Sequence, residues 1–203
     1  MSDLSLKCRC GEFRAVVKNV EQSTGGRAIC FCDDCQAYAH ALGRAKEILN
    51  EFGGSDITPT MPSHFKIVSG GERLKLVKLS DDGLNRFYVE CCQTPVANTP
   101  GPQIPYLGLF SLLAEDTRKL GPVRFGLQAK YAIGNPPPPK SQKIGLGAIL
   151  WMMKFMSRAF FKGAAKPHPF FTEAGLPVAA VRVLTPEERD RLRPYCGPHP
   201  SIT

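Results

Sequence analysis

Cys30-Phe31-Cys32-Asp33-Asp34-Cys35 puts three thiols within six residues. Bridges between Cys30 and Cys32, or between Cys32 and Cys35, would close small strained rings. One soft divalent metal satisfies all three sulfurs at once. Zinc takes thiolate readily, prefers four ligands in a tetrahedron, and keeps a position open where the protein supplies three. Two further groups frame the triplet, Cys8-Arg9-Cys10 and the adjacent pair Cys91-Cys92. The chain has eight cysteines, and its start, Met-Ser-Asp-Leu-Ser-Leu-Lys, lacks the cationic stretch and apolar run of a secretory signal. Such a chain is expected in the cytoplasm, where clustered thiols bind metal rather than bridge.

Other residues are candidates for the neighbourhood of these sulfurs. His40, five residues after Cys35, is placed to approach an open metal position as ligand or proton shuttle, or else to sit on a helix flank. Cys196 reads as a free tail thiol, or as a missing fourth ligand if the tail folds back. His64, His168 and His199 carry no supporting pattern.

The elements that must position the thiols are short. Residues 4–20 read as a strand and turn around Cys8-Arg9-Cys10-Gly11, with Phe13, Ala15 and Val17 alternating with polar positions. Arg27-Ala28-Ile29 leads as a second strand into the triplet. From Gln36 to Phe52 the period becomes helical, with Asp34 as cap and Gly53-Gly54 as the stop. The N-terminus of that helix would favour thiolate beside it. Strands are expected at 65–68, 74–79 and 86–89, the last running into Cys91-Cys92, with another over 106–113. Val178–Leu184 reads as a strand, and Thr185-Pro186-Glu187-Glu188 opens a short capped helix.

Hydrophobic residues at 43% and charged residues at 22% belong to a globular chain, and 19 Gly with 18 Pro favour turns and strands. The net charge of +8 is local: residues 117–172 carry ten Lys or Arg and no Asp or Glu. Nucleic acid is therefore not the expected partner, since the rest of the chain is slightly acidic. Within the basic segment, residues 144–161 form an apolar run with Lys154, Arg158 and Lys162 as a narrow cationic stripe beside Trp151. This pattern fits a helix lying in a membrane surface, which would make the chain membrane-associated, and fits equally a core or interface helix.

The spacing Cys8-Arg9-Cys10-Gly11, Cys30-Phe31-Cys32-Asp33-Asp34-Cys35 with Gly43, Ser69-Gly70, and Cys92-Gln93-Thr94-Pro95 resembles the glutathione-dependent formaldehyde-activating enzyme (GFA) family, shared with the centromere protein V domain. It looks closest to an uncharacterised bacterial branch of that family, over roughly residues 5–100. The resemblance implies a mainly β, Mss4-like zinc-binding folded sheet with one or two zinc ions. It implies that Cys8 and Cys10 join the later cysteines around a structural zinc, and that Cys30, Cys32 and Cys35 hold a second zinc open to substrate thiol or water. The chain departs from the family pattern at three places. Val89 stands where the first cysteine of the later pair falls, with Cys91 beside Cys92 instead; Phe31 stands where His is common; Gln93 replaces the usual Gly. Adjacent residues seldom both reach one tetrahedral ion, so three protein ligands or a distorted site are expected there.

The resulting expectation is a GFA-like domain over 1–135, a Pro-rich spacer and apolar-basic helix over 136–170, and a C-terminal strand and short helix over 171–203. By the resemblance the activity is that of a carbon–sulfur lyase, with Cys30, Cys32 and Cys35 as catalytic residues. Its partner would be a small thiol or glutathione adduct, and residues 144–161 would supply a peripheral membrane contact. The alternative is a non-catalytic zinc module that binds protein, lipid or nucleic acid.

Overall fold

Short extended stretches, some alternating apolar and polar residues and some apolar throughout, give this chain its architecture. The computed structural model describes residues 2–20, 26–134 and 145–197. In chain order these form β1 (Ser2–Lys7), β2 (Arg14–Val20), β3 (Ala28–Cys30), α1 (Asp33–Ala41), α2 (Ala45–Ile48), β4 (Ser55–Thr60), β5 (Phe65–Ser69) and β6 (Leu74–Lys78). There follow β7 (Asn85–Val89), β8 (Thr94–Thr99), β9 (Leu107–Phe110), β10 (Phe125–Leu127), α3 (Leu146–Phe161), β11 (Val181–Val183) and α4 (Pro186–Leu192). The fold is mainly β with few and short helices. The expected Pro136–Pro139 spacer and the start of the apolar run at Ile144 lie outside the described residues.

Two sheets result. The smaller has the order β1-β2-β5, and the larger runs β10-β3-β4-β9-β8-β7-β6-β11. The pairs in the larger sheet are antiparallel except at its two edges, where β10 lies parallel to β3 and β11 parallel to β6. One face of the larger sheet packs on the smaller through Leu4, Leu6, Phe65, Leu76, Phe87 and Leu107. The other face carries α1 over Tyr38, Ile57, Val77, Leu79 and Phe110. Successive side chains of a strand point to opposite faces, so β7 sends Phe87 and Val89 into the first core and turns Arg86 toward α1.

The expected helix over Gln36–Phe52 is broken. α1 ends at Ala41, and Gly43, at φ +65°, turns the chain before α2 begins. Left-handed backbone suits glycine, so Gly43 rather than Gly53-Gly54 is the stop. The cap also differs. Cys32 is the N-cap residue, its Sγ accepting from the Cys35 N–H at 3.3 Å, while Asp33 and Asp34 fill the first turn. Of the strand expected over 106–113, Leu107–Phe110 is extended and Ser111–Leu113 is a 3-10 turn. Thr185 caps α4 in a reciprocal pair with Glu188, and Pro186 sits in the first turn.

The chain's C-terminal third is tied into both cores. Phe170 enters between the sheets, stacked on Phe87 at 4.5 Å. Arg193–Tyr195 and Gly197 return to α1, where Gln36 is wholly buried. The Gln36 amide donates to the carbonyls of Phe31 (2.7 Å) and Tyr131 (2.9 Å) and accepts from the Gly197 N–H (2.7 Å). No described helix is long and apolar enough to cross a membrane.

Candidate metal centres

Seven of the eight cysteines gather into two groups. The Sγ atoms of Cys8, Cys10, Cys91 and Cys92 all lie within 4.8 Å of one another, as do those of Cys30, Cys32 and Cys35. All eight cysteines are free thiols. The separations Cys8–Cys10 (3.4 Å), Cys30–Cys32 (3.4 Å) and Cys30–Cys35 (3.7 Å) are close to the roughly 3.8 Å edge of a tetrahedron with ~2.3 Å metal–sulfur bonds. Cys10 and Cys91 stand closer, at 2.9 Å.

The first group joins two hairpin turns. Between β1 and β2, the Cys8 N–H donates to the Phe13 carbonyl and the Phe13 N–H donates back to Cys8 Sγ at 3.3 Å. Gly11, at φ +85°, allows that reversal. Between β7 and β8, Gln93 takes the left-handed conformation at φ +52°, at the position where the resembled family has Gly. This turn brings both Cys91 and Cys92 to the group, contrary to the expectation that neighbours seldom converge. Val89 is buried in the core, and Cys91 joins Cys92 in the four-sulfur group. The Thr94 hydroxyl lies 3.0 Å from Cys92 Sγ, and Arg44 Nη1 donates to the Cys92 carbonyl at 2.6 Å.

The second group sits where β3 enters α1, against the interior. Cys30 and Cys35 are buried and Cys32 is half-buried. Arg86, only 1% exposed, sends Nη1 to within 3.8 Å of Cys35 Sγ and Nη2 to 3.6 Å from Asp34. Its guanidinium lies 5.4 Å above the Tyr38 ring. Asp34 also accepts from Arg189 of α4 at 2.8 Å.

Proton affinities in both groups show what the sulfurs require. Hydrogen bonds from Cys30 and Cys32 outweigh burial and, with the Arg86 charge, hold the Cys35 thiol well below the ordinary thiol range. Contacts with Cys30 and Cys35, and then burial, push Cys32 up. In the first group burial opposes ionisation of Cys92, yet the Thr94 hydroxyl and Cys10 bring it down to about 6. Contact with Cys10 pushes Cys91 up. One thiolate forms readily in each group and opposes the next. A divalent cation removes that opposition, so the donor sets fit a soft metal.

Other expected residues fall elsewhere. His40 stacks on Tyr195 at 5.1 Å, and among the described residues no histidine joins either sulfur group. The tail does fold back, yet Cys196 Sγ donates to the Leu192 carbonyl and stays outside the triplet. His199 lies outside the described residues. Arg86, Tyr38 and Gln36 were not singled out by their sequence context. Tyr106 is a further case: burial, and then the sulfurs of Cys30 and Cys35, push its hydroxyl up, which places it in the field of the triplet.

A family model described as "Family of unknown function (DUF6151)" matches residues 1–182. No curated protein matches the chain. A crystal structure of a Rhodobacter sphaeroides protein is similar over 59% of this chain and 96% of that one, at 18% identity and a TM-score of 0.41.

Proposed function

Since the chain belongs to the DUF6151 family, whose function is not established, we propose from the sulfur geometry that it is a two-zinc protein in which the triplet site acts on a thiol adduct of glutathione type. Cys8, Cys10, Cys91 and Cys92 hold the structural ion and tie the β1–β2 turn to the β7–β8 turn. Cys30, Cys32 and Cys35 hold the second. The carrying observation is the difference between the groups: four sulfurs converge in one and three in the other. Three thiolates leave a fourth position for an exogenous ligand. A soft divalent ion bound there supplies Lewis acidity toward sulfur or oxygen. The chain's own residues supply the rest. Arg86 offsets the negative charge that three thiolates leave on a divalent ion. Cys32, the partly exposed member, marks the side of approach. The resemblance of the cysteine spacing to formaldehyde-activating enzymes supports carbon–sulfur lyase chemistry.

The experiment measures zinc per chain by mass spectrometry, then follows decay of a glutathione–formaldehyde adduct by NMR. Two zinc per chain and adduct cleavage that Cys32→Ser abolishes are expected. A second reading, a non-catalytic zinc module, is favoured by the near-complete burial of Cys30 and Cys35, at 7% and 4% exposed. Two zinc ions with neither glutathione displacement nor adduct decay would establish that module.

A further inference from the structure

Away from both sulfur groups, α3 stands off the sheets and leaves a cavity of about 230 Å³. Its floor is apolar: Leu4 of β1, Val17 of β2, Leu109 of β9, and Leu120, none more than 3% exposed. Its side wall is aromatic, with Trp151 and Phe155 stacked at 5.2 Å one helical turn apart. Its rim is cationic, with Lys154, Arg158 and Lys162 at four-residue spacing along α3 and Lys18 facing them from β2. Among the described residues the lining contains no Asp or Glu.

We propose that this cavity binds an anionic amphiphile, its apolar chain against Trp151, Phe155, Val20 and Pro59 and its anionic head on Lys154, Lys162 and Lys18. Each part of the lining selects for one part of such a ligand. The partly exposed rings of Trp151 and Phe155, with Val20 and Pro59, gain by excluding water around a hydrocarbon. Lysines at the mouth give charge-assisted hydrogen bonds to a carboxylate or phosphate. The cavity of about 230 Å³ has room for many water-sized groups, each needing only about 10–15 Å³ of such space.

The wall is fixed before any ligand arrives. The Trp151 ring lies so close over Gly26 that a Cβ there would stand 2.1 Å from it. Phe125 and Tyr106 pack against Trp151 and Phe155 in turn. The cationic stripe read from the sequence as a membrane-surface feature therefore lines the cavity. The outward face of α3 is instead apolar, with Leu146 71% and Met153 60% exposed.

Trp151 is the sole tryptophan of the chain, so its fluorescence reports occupancy. The test titrates the full chain with decanoate and with decanol below their aggregation limits. Vesicles of phosphatidylglycerol or phosphatidylcholine form the lipid arm. Saturable one-to-one binding of decanoate at least tenfold tighter than decanol is expected. Lys154→Glu with Lys162→Glu should weaken decanoate more than tenfold at unchanged thermal midpoint, while Leu146→Ser with Met153→Ser on the outer face should leave it intact. If phosphatidylglycerol vesicles compete with decanoate, a lipid acyl end is the source; if they do not, a free acid is. Equal affinity for decanol, no saturable response to decanoate, or a vesicle response that depends only on Leu146 and Met153 would each overturn the proposal.

Discussion

Arg86 Nη1 lies 3.8 Å from Cys35 Sγ, with both residues closed to water. A guanidinium cannot be neutralised in a protein interior, so its burial requires an anion. Asp34, at 3.6 Å, supplies part of that charge, but its side chain is 35% exposed. The remainder must come from sulfur, so the arrangement is evidence that the triplet carries thiolate. Removing the cation leaves that charge buried and unmatched. Arg86→Met should lower the unfolding free energy of the metal-loaded chain by about 3–5 kcal/mol. It should also speed zinc transfer from the triplet to a chelator. Urea titration and a chromogenic chelator measure the two effects. Unchanged stability together with unchanged transfer would show that the triplet does not depend on this charge.

The two groups should be separable by substitution. Cys10→Ser or Cys91→Ser should remove one zinc per chain, and Cys30→Ser or Cys35→Ser the other, while Cys196→Ser should remove neither. The first pair should lower the unfolding midpoint more, because their site joins turns from both sheets, and metal binding energy is folding energy where the site does not exist in the unfolded chain. Mass spectrometry of intact protein under native conditions reads the count directly.

Gln93 at φ +52° carries a cost that glycine lacks. Left-handed backbone costs a residue with a side chain about 1–2 kcal/mol, partly offset by the Gln93 amide donating to the Glu90 carbonyl at 2.7 Å. Gln93→Gly should therefore stabilise the chain by up to about 1 kcal/mol, since glycine's own unfolded-state entropy takes back ~0.5–1 kcal/mol. Thermal denaturation of the zinc-loaded variant measures it. A fall in stability would mean that the Glu90 contact outweighs the backbone strain.

The parts of this molecule legible in its sequence are those specified locally. Sulfur spacing announced both groups, the alternation Leu74-Lys75-Leu76 announced a half-buried strand, and Thr185-Pro186 announced a helix start. What escaped depends on partners far away in the chain. Arg86 sits in a strand where a charged residue ordinarily faces solvent; only α1, some fifty residues earlier, makes it interior. The edge strand β10 is three residues long and owes its existence to β3, and β11, which lies within the expected strand Val178–Leu184, takes its parallel place from β6. The α1 break at Gly43 was masked by apolar residues continuing in helical period beyond it. The cationic stripe of α3 was visible, but the side it faces was set by the fit of Trp151 over Gly26.

The docking of the C-terminal segment should be worth as much as a core contact. Phe170 is fully buried between Phe65, at 5.3 Å, and Phe87, at 4.5 Å. Phe170→Ala should cost about 3–5 kcal/mol by lost transfer energy and the cavity left behind. Limited proteolysis should then release the segment after α3 sooner than in the parent chain. A loss below ~1 kcal/mol would mean that the segment contributes little to the core it enters.

His168 should impose a pH dependence of its own. Its Nδ1 accepts from the Phe170 N–H at 3.2 Å, and its Nε2 is buried without a partner among the described residues. The rings of Phe170 and Phe171 pack around it, and burial pulls its pKa down to about 4. In the unfolded chain the same ring takes its proton near the ordinary value of about 6.5. Between those values the unfolded state binds the extra proton, so stability is complete above pH ~6.5 and is lost as pH falls toward 4. Thiolate protonation also weakens the chain in acid, but it is common to parent and variant. His168→Asn keeps an acceptor for the Phe170 N–H and removes the titration. The difference in stability between parent and variant, followed by urea unfolding from pH 8 to 4.5, should therefore be flat above 6.5 and slope below it. That slope should stay under one proton, since the ring is only partly shielded. A difference independent of pH would mean that His168 is protonated as easily in the folded chain as in the unfolded one.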